Sequence, residues 1–157
     1  MKRNRAHRGA TLVEAALTLM LLLMLIMGVV EFGRIFNLYQ VVTNAAREGG
    51  RYSVAPQPNS DQVPTTAQIS NYVYTFTDAA GLPRANNCGT GACPPGNPDG
   101  ACVCVNAASK MVNGVTVSYR EVYVGAPYVF ITPMLLLGAS DVSVTINGRA
   151  KMRNEVN

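Results

Sequence analysis

Glu14 is the side chain whose position most needs a chemical reason. It lies between a basic N-terminus carrying Lys2, Arg3, Arg5 and Arg8 and an apolar run from Ala15 to Val30. A carboxylate at the edge of a membrane-length greasy segment costs several kcal/mol unless a partner neutralises it. Cys88, Cys93, Cys102 and Cys104 are the second reactive group, gathered in a Gly/Pro-rich segment. Their even number and an oxidising compartment predict two disulfides. Pairing Cys102 with Cys104 is disfavoured because one intervening residue strains the bridge. Cys88 and Cys93 therefore cross to Cys102 and Cys104, in either order. Zinc fits poorly, since gaps of four, eight and one residues match no usual ligand pattern.

Nothing else in the chain resembles a catalytic constellation. The single histidine is His7, in the basic segment, and no phosphate loop of the G-x-x-x-x-G-K type occurs. Gly89 to Gly91 reads as a turn among cysteines and prolines. Asp61, Asp78, Asp99 and Asp141 occupy turn-like or helix-face positions where solvated structural roles are the default. The expectation is a structural or interaction protein rather than an enzyme, with no catalytic residues, no cofactor and no metal.

The elements that must position these groups follow from charge and periodicity. The chain has 157 residues, 48% of them hydrophobic, which fits one domain plus an anchor. Its net charge of +4 is carried by the four N-terminal cations, and after Gly9 nine basic residues balance nine acidic ones. The basicity is thus a topology signal that keeps the N-terminus cytoplasmic and sends everything after Val30 outward. The run from Ala15 to Val30 is shorter than the roughly 20 residues a bilayer needs, but a helix from Ala10 past Phe32 reaches that length. A cleaved secretory signal would need small residues at an A-x-A-like site, and Met27 to Phe32 reads M-G-V-V-E-F.

No proline interrupts Thr11 to about Arg51, and Ile35, Leu38, Val42, Ala45 and Gly49 recur at three- and four-residue steps. One helix, greasy all round and then striped, is expected to end at Gly49-Gly50 or Pro56. A membrane helix followed by a separate short helix would look similar. Pro56 to Pro64 reads as an extended linker. A second helix is expected from Thr65 or Thr66, burying Ile69, Tyr72, Val73, Phe76 and Ala80, closed by Gly81 and Pro83. Residues 84–104 form a cysteine loop. Val115, Val117 and Tyr119, and later Val142, Val144 and Ile146, alternate as two strands with one buried face, while Val103 to Val105 and Val122 to Val124 are shorter candidates. Tyr128 to Leu137 is expected to be a buried connection between strands, with an exposed apolar patch as the alternative. The fold class is α+β, a long N-terminal helix packed on a small antiparallel sheet, pilin-like.

The stretch Arg8-Gly9-Ala10-Thr11-Leu12-Val13-Glu14 resembles a prepilin processing site. That resemblance places the cut between Gly9 and Ala10 and makes Glu14 the fifth mature residue. The new ammonium at Ala10 could neutralise a neighbouring subunit's Glu14 within a helix bundle, where a paired charge is tolerated. The bland alternative makes Gly9 a flexible joint and Glu14 an interfacial charge in contact with water. Loss of the leader would also remove His7, and with it every histidine-based mechanism.

Three further stretches resemble the TadE family of pseudopilins: Gly28-Val29-Val30-Glu31-Phe32-Gly33-Arg34, Ala45-Ala46-Arg47-Glu48-Gly49-Gly50-Arg51, and Met152-Arg153-Asn154-Glu155. The resemblance implies a minor subunit of the tight-adherence (Flp, type IVc) pilus machinery or a related secretion system. It would be single-pass in the inner membrane, with an extracytoplasmic C-terminal domain, and could enter the pilus. Implied partners are the prepilin peptidase, other pilins and pseudopilins, the inner-membrane assembly platform and membrane lipid. The implied organisation is a leader over 1–9, a transmembrane helix over 10–33, an amphipathic extension over 34–55 and an outer domain over 56–157. Glu31 and Arg34, three apart, read as an interfacial pair contributing only about 0.2 to 0.5 kcal/mol. The alternative function is an uncleaved, signal-anchored adhesion or interaction protein of the cell envelope. Nucleic acid is disfavoured as a partner: Arg84, Lys110, Arg120, Arg149, Lys151 and Arg153 could meet phosphates, but the mature charge is balanced.

Overall fold

The computed structural model describes residues 4–57, 62–86, 88, 93, 99–131, 138 and 142–153, with side chains from Gly9 onward. Helix α1 spans Asn4–Val54, 51 residues, or about 77 Å at 1.5 Å per residue. It therefore begins before Ala10 and takes in most of the basic segment. It also passes through Gly49-Gly50 without a break and stops only where Pro56 disfavours helical geometry in the residue before it. The glycine pair is a packing device instead. A Cβ on Gly50 would lie 3.0 Å from Ala150 Cβ and 3.2 Å from Met152 Cγ, and one on Gly49 would press into Val73 and Val122.

Helix α2 spans Thr66–Ala79 and starts at a capping box. The Thr65 hydroxyl accepts from the Gln68 backbone amide at 3.4 Å, and the Gln68 side-chain oxygen Oε1 accepts from the Thr65 backbone amide at 2.8 Å. Its buried stripe is Ile69, Val73 and Thr77. Phe76 and Ala80, expected on that face, lie exposed. Gly81, at φ +75°, ends the helix, and the next amide, Leu82 N–H, donates to Thr77 O at 3.0 Å.

Three antiparallel strands in the order β1-β2-β3 complete the domain: β1 Cys102–Val112, β2 Val115–Val129 and β3 Ser143–Arg153. The expected segments Val115 to Tyr119 and Val122 to Val124 are one continuous strand. A two-residue turn joins β1 to β2, with Asn113 and Gly114 both at positive φ (51° and 81°), which matches the strand twist and fixes Val112 opposite Val115. Pro127 is tolerated in β2 because β1 ends at the Cys102–Gly125 pair, leaving one side of the strand unpaired at that point.

The buried face of β2 is also the opposite of the expected one. Val122, Val124, Ala126 and Tyr128 face the core, so Val115, Val117 and Tyr119 lie on the outer surface. Of the apolar stretch from Tyr128 to Leu137, Tyr128 and Val129 belong to β2 and Ile131 is exposed, while 132–137 lie outside the described residues.

The core joins Val42, Ala45 and Ala46 of α1 to Ile69 and Val73 of α2 and to Val122, Val124, Ala126 and Ala150 of the sheet. β2 runs back along α1: Tyr128 reaches Glu31, while Val122 lies beside Gly49. Small side chains let helix and sheet touch backbone to backbone, most closely at Gly148 beside Val42.

Candidate functional site

Gly9, Ala10 and Glu14 lie on an exposed part of α1, with the peptide bond between Gly9 and Ala10 in helical conformation. A Cβ on Gly9 would meet nothing within 4 Å. The Thr18 hydroxyl donates to the Glu14 carbonyl oxygen at 2.8 Å, and Glu14 shares a helix face with Thr11, Ala15, Leu19 and Leu22. From Leu12, 72% exposed, to Val30, 53% exposed, the large apolar side chains pack on no part of the domain. Each such side chain stabilises by about 1.5–3 kcal/mol when removed from water, so this half of the helix needs an apolar surrounding. It is long and apolar enough to cross a membrane.

Where the bare run ends, Glu31 is 9% exposed. One carboxylate oxygen accepts from the Tyr128 hydroxyl at 2.7 Å and from the Ile131 amide at 3.0 Å. Arg34 approaches the other oxygen at 3.6 Å and lies 5.3 Å from the centre of the Tyr128 ring. The pair read from sequence is therefore part of a latch that ties the end of β2 to the helix. Burial, then the bond to Glu31, pushes the Tyr128 phenol above its ordinary pKa of 10.0, so it stays a neutral donor. Tyr128→Phe would leave a buried acceptor short of a donor, and is expected to lower stability by about 1–3 kcal/mol and to speed amide exchange at Ile131. An unchanged unfolding midpoint would show that Glu31 is held without the Tyr128 hydroxyl.

The cysteines pair as Cys88–Cys102 and Cys93–Cys104, with Cα separations of 5.5 and 5.9 Å. Among the described residues no group of three His, Cys, Asp or Glu side chains could hold a metal ion. The outer sheet face carries a second buried carboxylate, Glu121, which accepts from Arg149 at 2.6 Å and from the Tyr123 hydroxyl at 3.0 Å, with Lys151 at 3.4 Å. The Arg149 bond, opposed by desolvation and helped by Tyr123 and Lys151, holds the Glu121 carboxyl below the ordinary 4.5. Arg84 grips Asp78 at 2.6 Å, and Arg120 donates to Pro64 O at 2.5 Å. Four of the six cations considered for phosphate contact are thus engaged within the chain. Arg120 and Glu121 do not stand out as structural groups in sequence, because Pro64, Arg149 and Lys151 come from other elements.

Residues 9–51 match the family described as TadE-like protein. The matched segment runs from Gly9 to Arg51, so it covers nearly all of α1, including Glu14, Glu31 and Arg34, and none of the sheet. The C-terminal stretch beginning at Met152 lies outside it. No curated protein and no solved structure matches the chain.

Proposed function

We propose that the chain is a minor pseudopilin of a tight-adherence pilus or related secretion machine, cut after Gly9 by a prepilin peptidase. The observation that carries this reading is the overlap of the family match with the bare apolar half of α1, headed by an outward-facing Glu14. Residues 10–33 hold the subunit in the inner membrane, and residues 34–55 carry the outer domain on the same rod. Glycine at position 9 lowers the cost of opening the helix for cleavage by about 1 kcal/mol relative to alanine. The exposed Ala10 ammonium then pairs with the Glu14 of a neighbouring pilin, neutralising a charge that the bilayer penalises. Loss of His7 with the leader leaves a chain that works by assembly and contact rather than by catalysis. Oxidation outside the cytoplasm closes the two cysteine bridges.

Wild-type protein and Gly9→Ala, each expressed with a working peptidase, are expected to differ in intact mass by the nine-residue leader. A difference of only the one methylene by which alanine exceeds glycine would favour the other reading, an uncleaved signal-anchored envelope protein.

A further inference from the structure

An apolar hairpin tip projects from the end of the domain remote from the bare half of α1. β2 runs from Tyr128, at Glu31, past Val122, beside Gly49, so Val115 lies at the far end. β3 ends with Arg153 opposite Tyr119, so in the described sheet residues 115–118 pair only with 109–112, as a two-stranded ribbon. At its tip Met111, Val112 and Val115 are 71%, 48% and 61% exposed. The register puts Val112, Val115 and Val117 on one face and Met111 on the other. The tip is therefore apolar on both sides, a form suited to immersion rather than to docking against one surface. Behind it, on the face shared with Val117, come Lys110 and then Arg153, with Lys151 further back held by Glu121. Apolar side chains leading and cations following is the charge order that complements anionic headgroups over an acyl boundary.

We propose that the Asn113-Gly114 hairpin inserts its tip into an anionic phospholipid bilayer other than the one that holds α1. From Glu31 to Val54 the helix rises about 35 Å, which carries the ribbon out of reach of the host bilayer. The inference rests on α1 being a membrane anchor and is independent of processing.

Full-length protein reconstituted in phosphatidylcholine vesicles is mixed with dye-labelled vesicles of phosphatidylcholine alone or with phosphatidylglycerol. Capture of the anionic vesicles is expected, falling about tenfold when Met111, Val112 and Val115 are all changed to Ser, and falling less for Lys110→Gln. These side chains are exposed, and an unchanged thermal midpoint checks that the domain stays folded. Equal capture by the triple variant, equal capture of the two vesicle types, or no capture overturns the proposal. The last outcome leaves a protein partner for the tip. Flotation with the host vesicles reports the anchor separately: protein that floats but captures nothing sinks the tip alone, and protein that fails to float sinks both.

Discussion

Glu14→Gln is expected to leave the outer domain folded and to cut incorporation into filaments roughly a hundredfold. Glu14 touches nothing in the domain, so its loss removes no folded-state contact there. In an assembled bundle, however, the neutral amide would leave an incoming Ala10 ammonium unpaired at membrane depth. A lone charge there costs on the order of 2.5–3.5 kcal/mol, and removing one partner of a buried pair is worse than never having the pair. The measurement is the fraction of subunit recovered with sheared pili relative to membranes. Recovery of the variant at the wild-type fraction would mean that Glu14 is a solvated interfacial charge with no assembly partner.

Gly148→Leu is expected to have the largest effect on the domain itself. A Cβ at this position would lie 2.6 Å from the Val42 carbonyl oxygen, 2.9 Å from its carbon and 3.0 Å from Thr43 Cα. These atoms are helix backbone and cannot swing aside as a side-chain end can. Either the sheet moves off α1, exposing Val42, Ala45 and Ala46, or the helix bends. Overpacking typically costs about 1–3 kcal/mol, and against rigid backbone the upper end applies, a large share of the roughly 5–15 kcal/mol that holds a domain folded. Thermal unfolding in detergent should fall accordingly, whereas Gly114→Ala at the exposed turn, where nothing is crowded and only the positive φ of 81° opposes a side chain, should cost about 1–2 kcal/mol. Similar midpoints for Gly148→Leu and wild type would mean that helix and sheet are not packed backbone to backbone.

The two glycine sites show which part of this fold is legible in sequence. Periodicity identifies the stripe Ile35, Leu38, Val42, Ala45 and Gly49 because a helix repeats its buried face locally. Gly49-Gly50 and Pro56 both read as helix ends for the same local reason, and only Pro56 is one, since what the glycines accommodate, Val73, Val122 and Ala150, comes from elements distant in sequence. The alternation at Val115, Val117 and Tyr119 marks the outer face rather than the buried one, because alternation reveals two faces and not which one is covered. Asn113-Gly114 was the missed local signal. It is the strongest short-range hairpin signature, and it would have joined the short strand candidates into one ribbon.

The latch was legible only in part. Glu31 and Arg34 stand out as a pair one helical turn apart, but Tyr128 and Ile131 lie 97 and 100 residues further on. Cysteine spacing disfavours one pairing of three and is silent on the other two, which differ only in how the loop crosses β1. The apolar half of α1 is the most readable element, because a run of about 20 apolar residues is recognised without reference to any distant partner.

N-terminal sequencing of the polypeptide taken from its native membrane tests the central claim most directly. A chain beginning Ala-Thr-Leu-Val-Glu is the predicted result, since removal of the leader creates the cation that Glu14 needs. A chain that still begins Met-Lys-Arg would contradict it, because no new ammonium would then be available to a neighbouring Glu14.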